Sequence, residues 1–136
     1  MRLTAEEAAG RVPVTVLHLE GALDASNFEE LIAKARELYS SGTRYVVLDM
    51  ADLSYMGSSG LVALHSIALL LRGEEPPDPE HGWQAFHAID RQRGRGADAH
   101  VRLLSPQPKI AQMLQLTGLT EFFEIHTDPQ AAIASF

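Results

Sequence analysis

The chain contains no cysteine among its 136 residues. That excludes a disulfide framework, a zinc-thiolate site and a cysteine nucleophile, and nothing in the composition calls for an oxidising compartment. Positive charge is scarce as well: eleven Lys and Arg stand against eighteen Asp and Glu, a formal charge of −7. Direct binding of nucleic acid or of an anionic membrane is not expected of such a chain. Long apolar runs are missing too. The longest, Leu61 to Leu71, is broken by His65 and Ser66 and is too short to cross a bilayer, so no membrane insertion is expected. The opening Met1-Arg2-Leu3-Thr4-Ala5-Glu6-Glu7 carries acids where a signal peptide needs an apolar core, which predicts a cytoplasmic protein. His18, His65, His81, His87, His100 and His126 show no metal-ligand spacing, and no Gly-x-x-x-x-Gly-Lys phosphate loop is present. Gly57-Ser58-Ser59-Gly60 is not a Gly-x-Ser-x-Gly nucleophile elbow. No metal, cofactor or intrinsic catalysis is expected.

What is there reads as one folded domain. Hydrophobic residues make up 46% and charged residues 21%, a globular composition, and the length suffices for one core without staples. Strand and helix patterns alternate, the signature of an α/β domain with mostly parallel strands. Arg2 to Ala8 and Val12 to Leu19 read as a hairpin turned at Gly10, with Val14, Val16 and His18 on one face and Thr15, Leu17 and Leu19 on the other. Gly21 to Ala25 follows as a loop. Ser26-Asn27-Phe28-Glu29 fits a capping box that starts a helix at Asn27. Phe28, Leu31, Ile32, Ala35 and Leu38 form its apolar stripe, and Gly42 ends it.

Tyr45 to Leu48 is an apolar run without alternation, as in a strand buried on both faces, and Asp49 to Gly57 reads as a polar loop. Ser58 then stands as the N-cap of a strongly apolar helix. His100 to Leu104 predicts another strand, and Ser105-Pro106 a cap with proline at the first helical position. Ile110, Met113 and Leu114 supply that helix with a core stripe before Gly118 stops it. Phe122 to His126 is the last strand, and Asp128-Pro129 repeats the cap-then-proline signal before a short helix with Ala132, Ile133 and Phe136.

Residues 72–98 interrupt this rhythm with three of the seven prolines, the single tryptophan, six acids and four arginines. They read as an insertion within the 1–136 domain, a loop through Pro79 and then a short helix carrying Trp83, Phe86 and Ile89. The basic run Arg91 to Gly96 is short and broken by glycine, which fits a solvated loop. The preceding helix has almost no polar face, so something must cover it. The insertion as an intramolecular lid is the favoured cover; a second copy, making a homodimer, and a partner protein are the others.

The stretch Asp49 to Leu61 leaves a buried strand and enters a helix through small polar residues, a preferred place for ligand and regulatory sites in open α/β sheets. Taken alone, Ser58 serves as a helix cap and Asp24 as a loop cap. The segments Val14 to Asp24, Val46 to Leu61, Leu104-Ser105-Pro106 and Thr117-Gly118-Leu119 together resemble the anti-sigma factor antagonists, bacterial members of the STAS domain family. Order and spacing agree outside the insertion, over roughly four-fifths of the chain. The resemblance implies a STAS-like single domain: a mixed, mostly parallel sheet of four to five strands with about four helices, and an insertion after the second helix.

It also implies a protein that binds an anti-sigma factor, usually a serine kinase, and so frees a sigma factor. Phosphorylation by that kinase switches such a protein off. The accepting hydroxyl falls on Ser58, with Ser59 as the fallback. Asp24 matches an acidic residue near the acceptor, and Met56, Gly57, Ser58, Ser59, Gly60 and Leu61 form the expected partner-binding loop. One position departs: Gly57 stands where the motif usually has aspartate, which bears on phosphorylation more than on partner binding. Within the same family, a subunit of a lipid-trafficking ABC transporter or a stress-signalling scaffold is the alternative; a pull-down that recovers a small kinase or a membrane ATPase separates the two.

Overall fold

The computed structural model describes residues 1–76 and 98–136. They form a five-stranded sheet in the order β1-β2-β3-β4-β5, with β1 (Arg2–Ala9) antiparallel to β2 (Pro13–Leu23) and β3 (Val46–Met56), β4 (Val101–Leu104) and β5 (Glu124–His126) parallel to β2. The helices are α1 (Phe28–Ser40), α2 (Ser58–Leu71), α3 (Pro108–Leu116), α4 (Leu119–Phe122) and α5 (Pro129–Ala134). This is the expected mixed, mostly parallel α/β domain, with five helices among the described residues where about four were expected. Strands laid down sequentially with right-handed crossovers place their connecting helices on one face. The main core accordingly joins Leu17, Leu48 and Leu103 of the sheet to Leu31 of α1, Leu64 and Ile67 of α2, Ile110 of α3 and Phe122 of α4. A smaller cluster of Val14, Val16, Val47 and Leu104 on the other face is covered by Ala132 and Ile133 of α5.

The two long strands outrun their sequence signals. Gly21 to Leu23 belongs to β2 and Asp49 to Met56 to β3, where loops were expected. The cause lies in the register. His18 pairs with Asp49 and Glu20 with Asp52, then Gly21 with Leu53 and Ala22 with Tyr55, so β3 carries an extra residue at each of two places. Such bulges bend a strand and break its period of two. Met50, Leu53 and Met56 therefore turn inward at intervals of three. Gly21 sits at one shift with φ +103°, a left-handed conformation that suits glycine, and its carbonyl accepts the Ser54 hydroxyl at 3.0 Å.

Three expected caps are displaced. Ser26 and Glu29 form no capping box; Asn27 is the N-cap position of α1, and the Ser26 hydroxyl turns back to the Asp24 carboxylate. The helix after β4 begins at Pro108 rather than Pro106, because Ser105 takes φ +52° and Gln107 becomes the cap position. At α2 the cap position is Gly57 and not Ser58. The Asp128-Pro129 signal is realised as read, with Asp128 Oδ1 accepting from Gln130 N at 3.2 Å. Phe122 closes α4 instead of opening β5, which leaves that strand three residues. The α1 stripe, the stops at Gly42 and Gly118 and the buried Val46 to Leu48 are as expected.

The insertion lies almost entirely outside the described residues, so its helix, its Trp83, Phe86 and Ile89 strip and its basic run are not described. At its N-terminal edge, Arg72 and Gly73 close α2 and Glu75 makes a two-pronged ion pair with Arg36 of α1 at 2.9 and 3.1 Å. α2 is buried from Gly60 through Leu71. No helix among the described residues is long and apolar enough to cross a membrane.

Candidate functional site

The serine loop emerges where β2 and β3 end side by side. Leu23 pairs with Met56, and the sheet continues for one more bond, from Gly57 N to the Leu23 carbonyl at 2.9 Å. This bond holds Gly57 extended, at φ −85° and ψ −177°, while Gly60 N reaches back to the Gly57 carbonyl at 2.9 Å and starts the helix. Gly57 thus takes the cap position, and no side chain caps α2. Ser58 enters the first helical turn exposed, with Ser59 half-buried behind it. The Ser58 hydroxyl is not consumed by capping.

Beneath the loop the packing is tight. A Cβ on Gly60 would overlap Met56 Cγ and lie 2.9 Å from the Met56 sulfur and 3.1 Å from Leu23 Cδ2. Only glycine lets α2 rest this closely on the sheet end. Of the residues expected in the partner-binding loop, Met56, Gly60 and Leu61 are buried. They shape the site from below, and the exposed surface is made by Ser58 together with Tyr55, whose side chain lies against Gly57 and which is 56% exposed. Tyr55 was hidden within a segment read as polar loop; the signal for it was an aromatic residue placed directly before Met56-Gly57-Ser58.

Asp24 follows Leu23 and so reaches the same end of the sheet. Its Oδ1 accepts from Ser26 N at 2.9 Å and from the Ser26 hydroxyl, and these bonds hold its pKa below the usual carboxylate range. Asn27 locks the turn: its Oδ1 accepts from Asp24 N at 3.0 Å and its Nδ2 donates to the Ala22 carbonyl at 2.7 Å. Asp24 is therefore an ionised, fixed carboxylate on the same rim as Ser58, and Asn27 is a supporting residue that the helix-start signal had concealed. Gly57 has room for a side chain, since a Cβ there would meet only Tyr55, at 3.4 Å from its hydroxyl.

The described histidines are engaged away from the serines. His18 binds Asp49 and Glu6, His100 stacks on Tyr45 and bonds the Arg44 carbonyl, and His126 bonds Glu124. His65 lies two turns along α2, buried against Phe122. Among the described residues no cluster of His, Asp and Glu suited to a metal ion occurs.

Comparison with known proteins agrees with this architecture. The chain is 24% identical over 136 residues to BtrV of Bordetella bronchiseptica, a candidate anti-sigma factor antagonist, covering 100% of this chain and 95% of that protein. Among solved structures, a candidate anti-sigma factor antagonist of Thermotoga maritima superposes with a TM-score of 0.69 at 16% identity, over 96% of this chain and 90% of that one. The phosphorylated form of SpoIIAA, a Bacillus cell fate determinant, superposes with a TM-score of 0.56 at 19% identity, over 96% of each chain. The STAS domain family model matches residues 6–74, the second half of β1, β2, α1, β3 and all of α2, which is just over half of the 136 residues: the chain belongs to the STAS domain family.

Proposed function

We propose that the protein is an anti-sigma factor antagonist, a single STAS domain that binds an anti-sigma factor kinase and is released from it when Ser58 is phosphorylated. The observation that carries the reading is the Ser58 hydroxyl, exposed at the first turn of a buried helix whose cap position is taken by Gly57. The resemblance to BtrV and to a SpoIIAA solved in its phosphorylated form supports the same function. The exposed Tyr55 and the fixed Asp24 complete the contact surface, and Ser59 is the fallback acceptor. The protein acts by being bound, with the kinase supplying the chemistry in the cytoplasm.

Phosphoryl transfer to Ser58 Oγ adds about −1.5 to −2 charges at neutral pH. At a helix N-terminus the new charge is stabilised by the dipole and the free backbone N–H groups, by about 0.3 to 2 kcal/mol. Phosphorylation therefore leaves the domain folded, and its effect falls on the interface. Two like charges about 5 Å apart at an effective dielectric near 20 repel by about 3 kcal/mol. A hundredfold loss of affinity needs only about 2.7 kcal/mol. One partner carboxylate facing Ser58 is enough.

The test uses an anti-sigma factor kinase recovered with the protein in a pull-down. Mass spectrometry after incubation with it and ATP is expected to show one added phosphoryl group, absent from Ser58→Ala. Ser58→Ala should bind the kinase as the parent does, and Ser58→Asp should bind at least tenfold more weakly. Equal affinity of the two variants would remove the switch, and modification of the Ala variant would move the acceptor to Ser59.

A further inference from the structure

The end of the sheet opposite Ser58 carries a second feature, which the antagonist reading leaves unused. The β1–β2 turn and the loop between α1 and β3 flank an open cavity of about 690 Å³, within the range of small-molecule sites. Its walls include Arg11, Val12, Thr15, Thr43, Arg44 and Tyr45. Two arginines on one cavity are notable in a chain of charge −7. Among the described residues, ion pairs occupy Lys34, Arg36, Arg72 and Arg102 but neither Arg11 nor Arg44.

Arg44 is also held in place. Its NH1 donates to the carbonyls of Tyr39 at 2.9 Å and Thr43 at 2.8 Å, and its Cζ lies 3.8 Å from the centre of the Tyr39 ring. All of its recorded bonds use one nitrogen, so the rest of the guanidinium fork keeps its donors for an anion. Deeper in, the buried Thr15 hydroxyl has the Thr43 hydroxyl as its partner at 3.4 Å. That contact uses one of the two hydroxyl protons, and the other has no partner among the described residues. Tyr45, stacked on His100 at 5.3 Å, and Val12 add a fixed apolar wall. Glu7 on the rim limits the negative charge the cavity accepts.

We propose that this cavity binds a small organic anion, a single carboxylate or phosphate head on an aromatic or apolar body. The head is received by Arg11, Arg44 and the threonine hydroxyls, and the body lies against Tyr45 and Val12. The site is independent of Ser58 and stands whether or not the chain is an anti-sigma factor antagonist.

Phenyl phosphate is the probe, titrated into the full chain and followed by amide chemical shifts. Saturable shifts at Gly10, Thr15, Gly42 and Thr43 are expected, with little change at Ser58 and Ser59. Arg11→Gln should weaken binding at least tenfold, and the near-isosteric Thr15→Val should weaken it while the rest of the spectrum stays that of the parent. Arg44→Gln should do the same if it folds; the other two variants decide the matter if it does not. Benzylamine, of similar body and opposite charge, should not bind. Shifts that do not saturate, shifts confined to the α2 N-terminus, or equal binding of benzylamine would each overturn the site.

Discussion

Gly57 decides two things at once, because it holds the cap position of α2 while standing where the family motif usually carries aspartate. Its backbone is ordinary for any residue, at φ −85°, and a Cβ would meet only the Tyr55 side chain at van der Waals distance. The missing carboxylate is therefore not a steric necessity of this fold. Aspartate is a better cap than glycine and has less freedom to lose on folding, so Gly57→Asp should stabilise the domain by about 0.5 to 1 kcal/mol. A rise in melting temperature of about 2 °C is the expected outcome in calorimetry. The restored carboxylate sits beside Ser58, so the same variant, incubated with the kinase, reports whether that charge assists phosphoryl transfer. A fall in melting temperature would mean that Tyr55 cannot yield the space.

At the scale of elements, the long helices were legible in the sequence, whereas the short helix Leu119–Phe122 and the strand ends were not. The stripe from Phe28 to Leu38 declares a helix by its 3.6-residue periodicity, and the apolar run after Ser58 declares one by its length, longer than a strand normally runs. Asp49 to Met56 declared a loop because two bulges spread its inward residues to intervals of three, a pattern that matches neither strand nor helix. The serines were found by motif. Their setting was not, since whether glycine or serine takes the cap position depends on how far the sheet runs, and the bond from Gly57 N to Leu23 O lies between distant residues. The contact of α2 with that strand end makes a test. Gly60→Ala gains about 1 kcal/mol of helix propensity, but overpacking against the buried Met56 and Leu23 costs about 1 to 3 kcal/mol. A net loss is expected in urea unfolding. Met56→Ala alone should cost about 2 to 5 kcal/mol, and the double variant should cost less than the sum of the two, because the cavity admits the new methyl. Strict additivity would show that α2 shifts as a whole instead.

For the whole molecule, two histidines make stability depend on pH in opposite directions. His65 is buried in α2, and neither ring nitrogen has a hydrogen-bond partner among the described residues. Burial, with Arg72 adding to it, lowers its pKa from 6.5 to about 4. The folded state thus refuses a proton that the unfolded chain takes up, so this stability is present above pH 6.5 and declines as pH falls toward 4. At pH 5 the loss amounts to about 2 kcal/mol. His18 works the other way. It bridges three strands, with Nε2 3.1 Å from Glu6 of β1 and Nδ1 2.7 Å from Asp49 of β3, and its pKa is raised, chiefly by the bond to Glu6 and against a smaller cost of burial. Its contribution is complete below pH 6.5 and is lost as pH rises through the raised value, though solvent exposure keeps it small. Unfolding free energy should therefore peak near neutrality. His65→Leu removes the acid-side term: between pH 7 and pH 5 the variant should lose about 2 kcal/mol less than the parent. At pH 7 it should be no less stable, since it exchanges two unpartnered nitrogens for apolar contact. His18→Asn should leave the acid limb unchanged and flatten the alkaline one. Urea titrations of the three proteins at pH 5, 7 and 8.5 separate the terms; parallel pH profiles for parent and His65→Leu would show that His65 accepts its proton in the folded state, and would remove the buried neutral imidazole from the account of this fold.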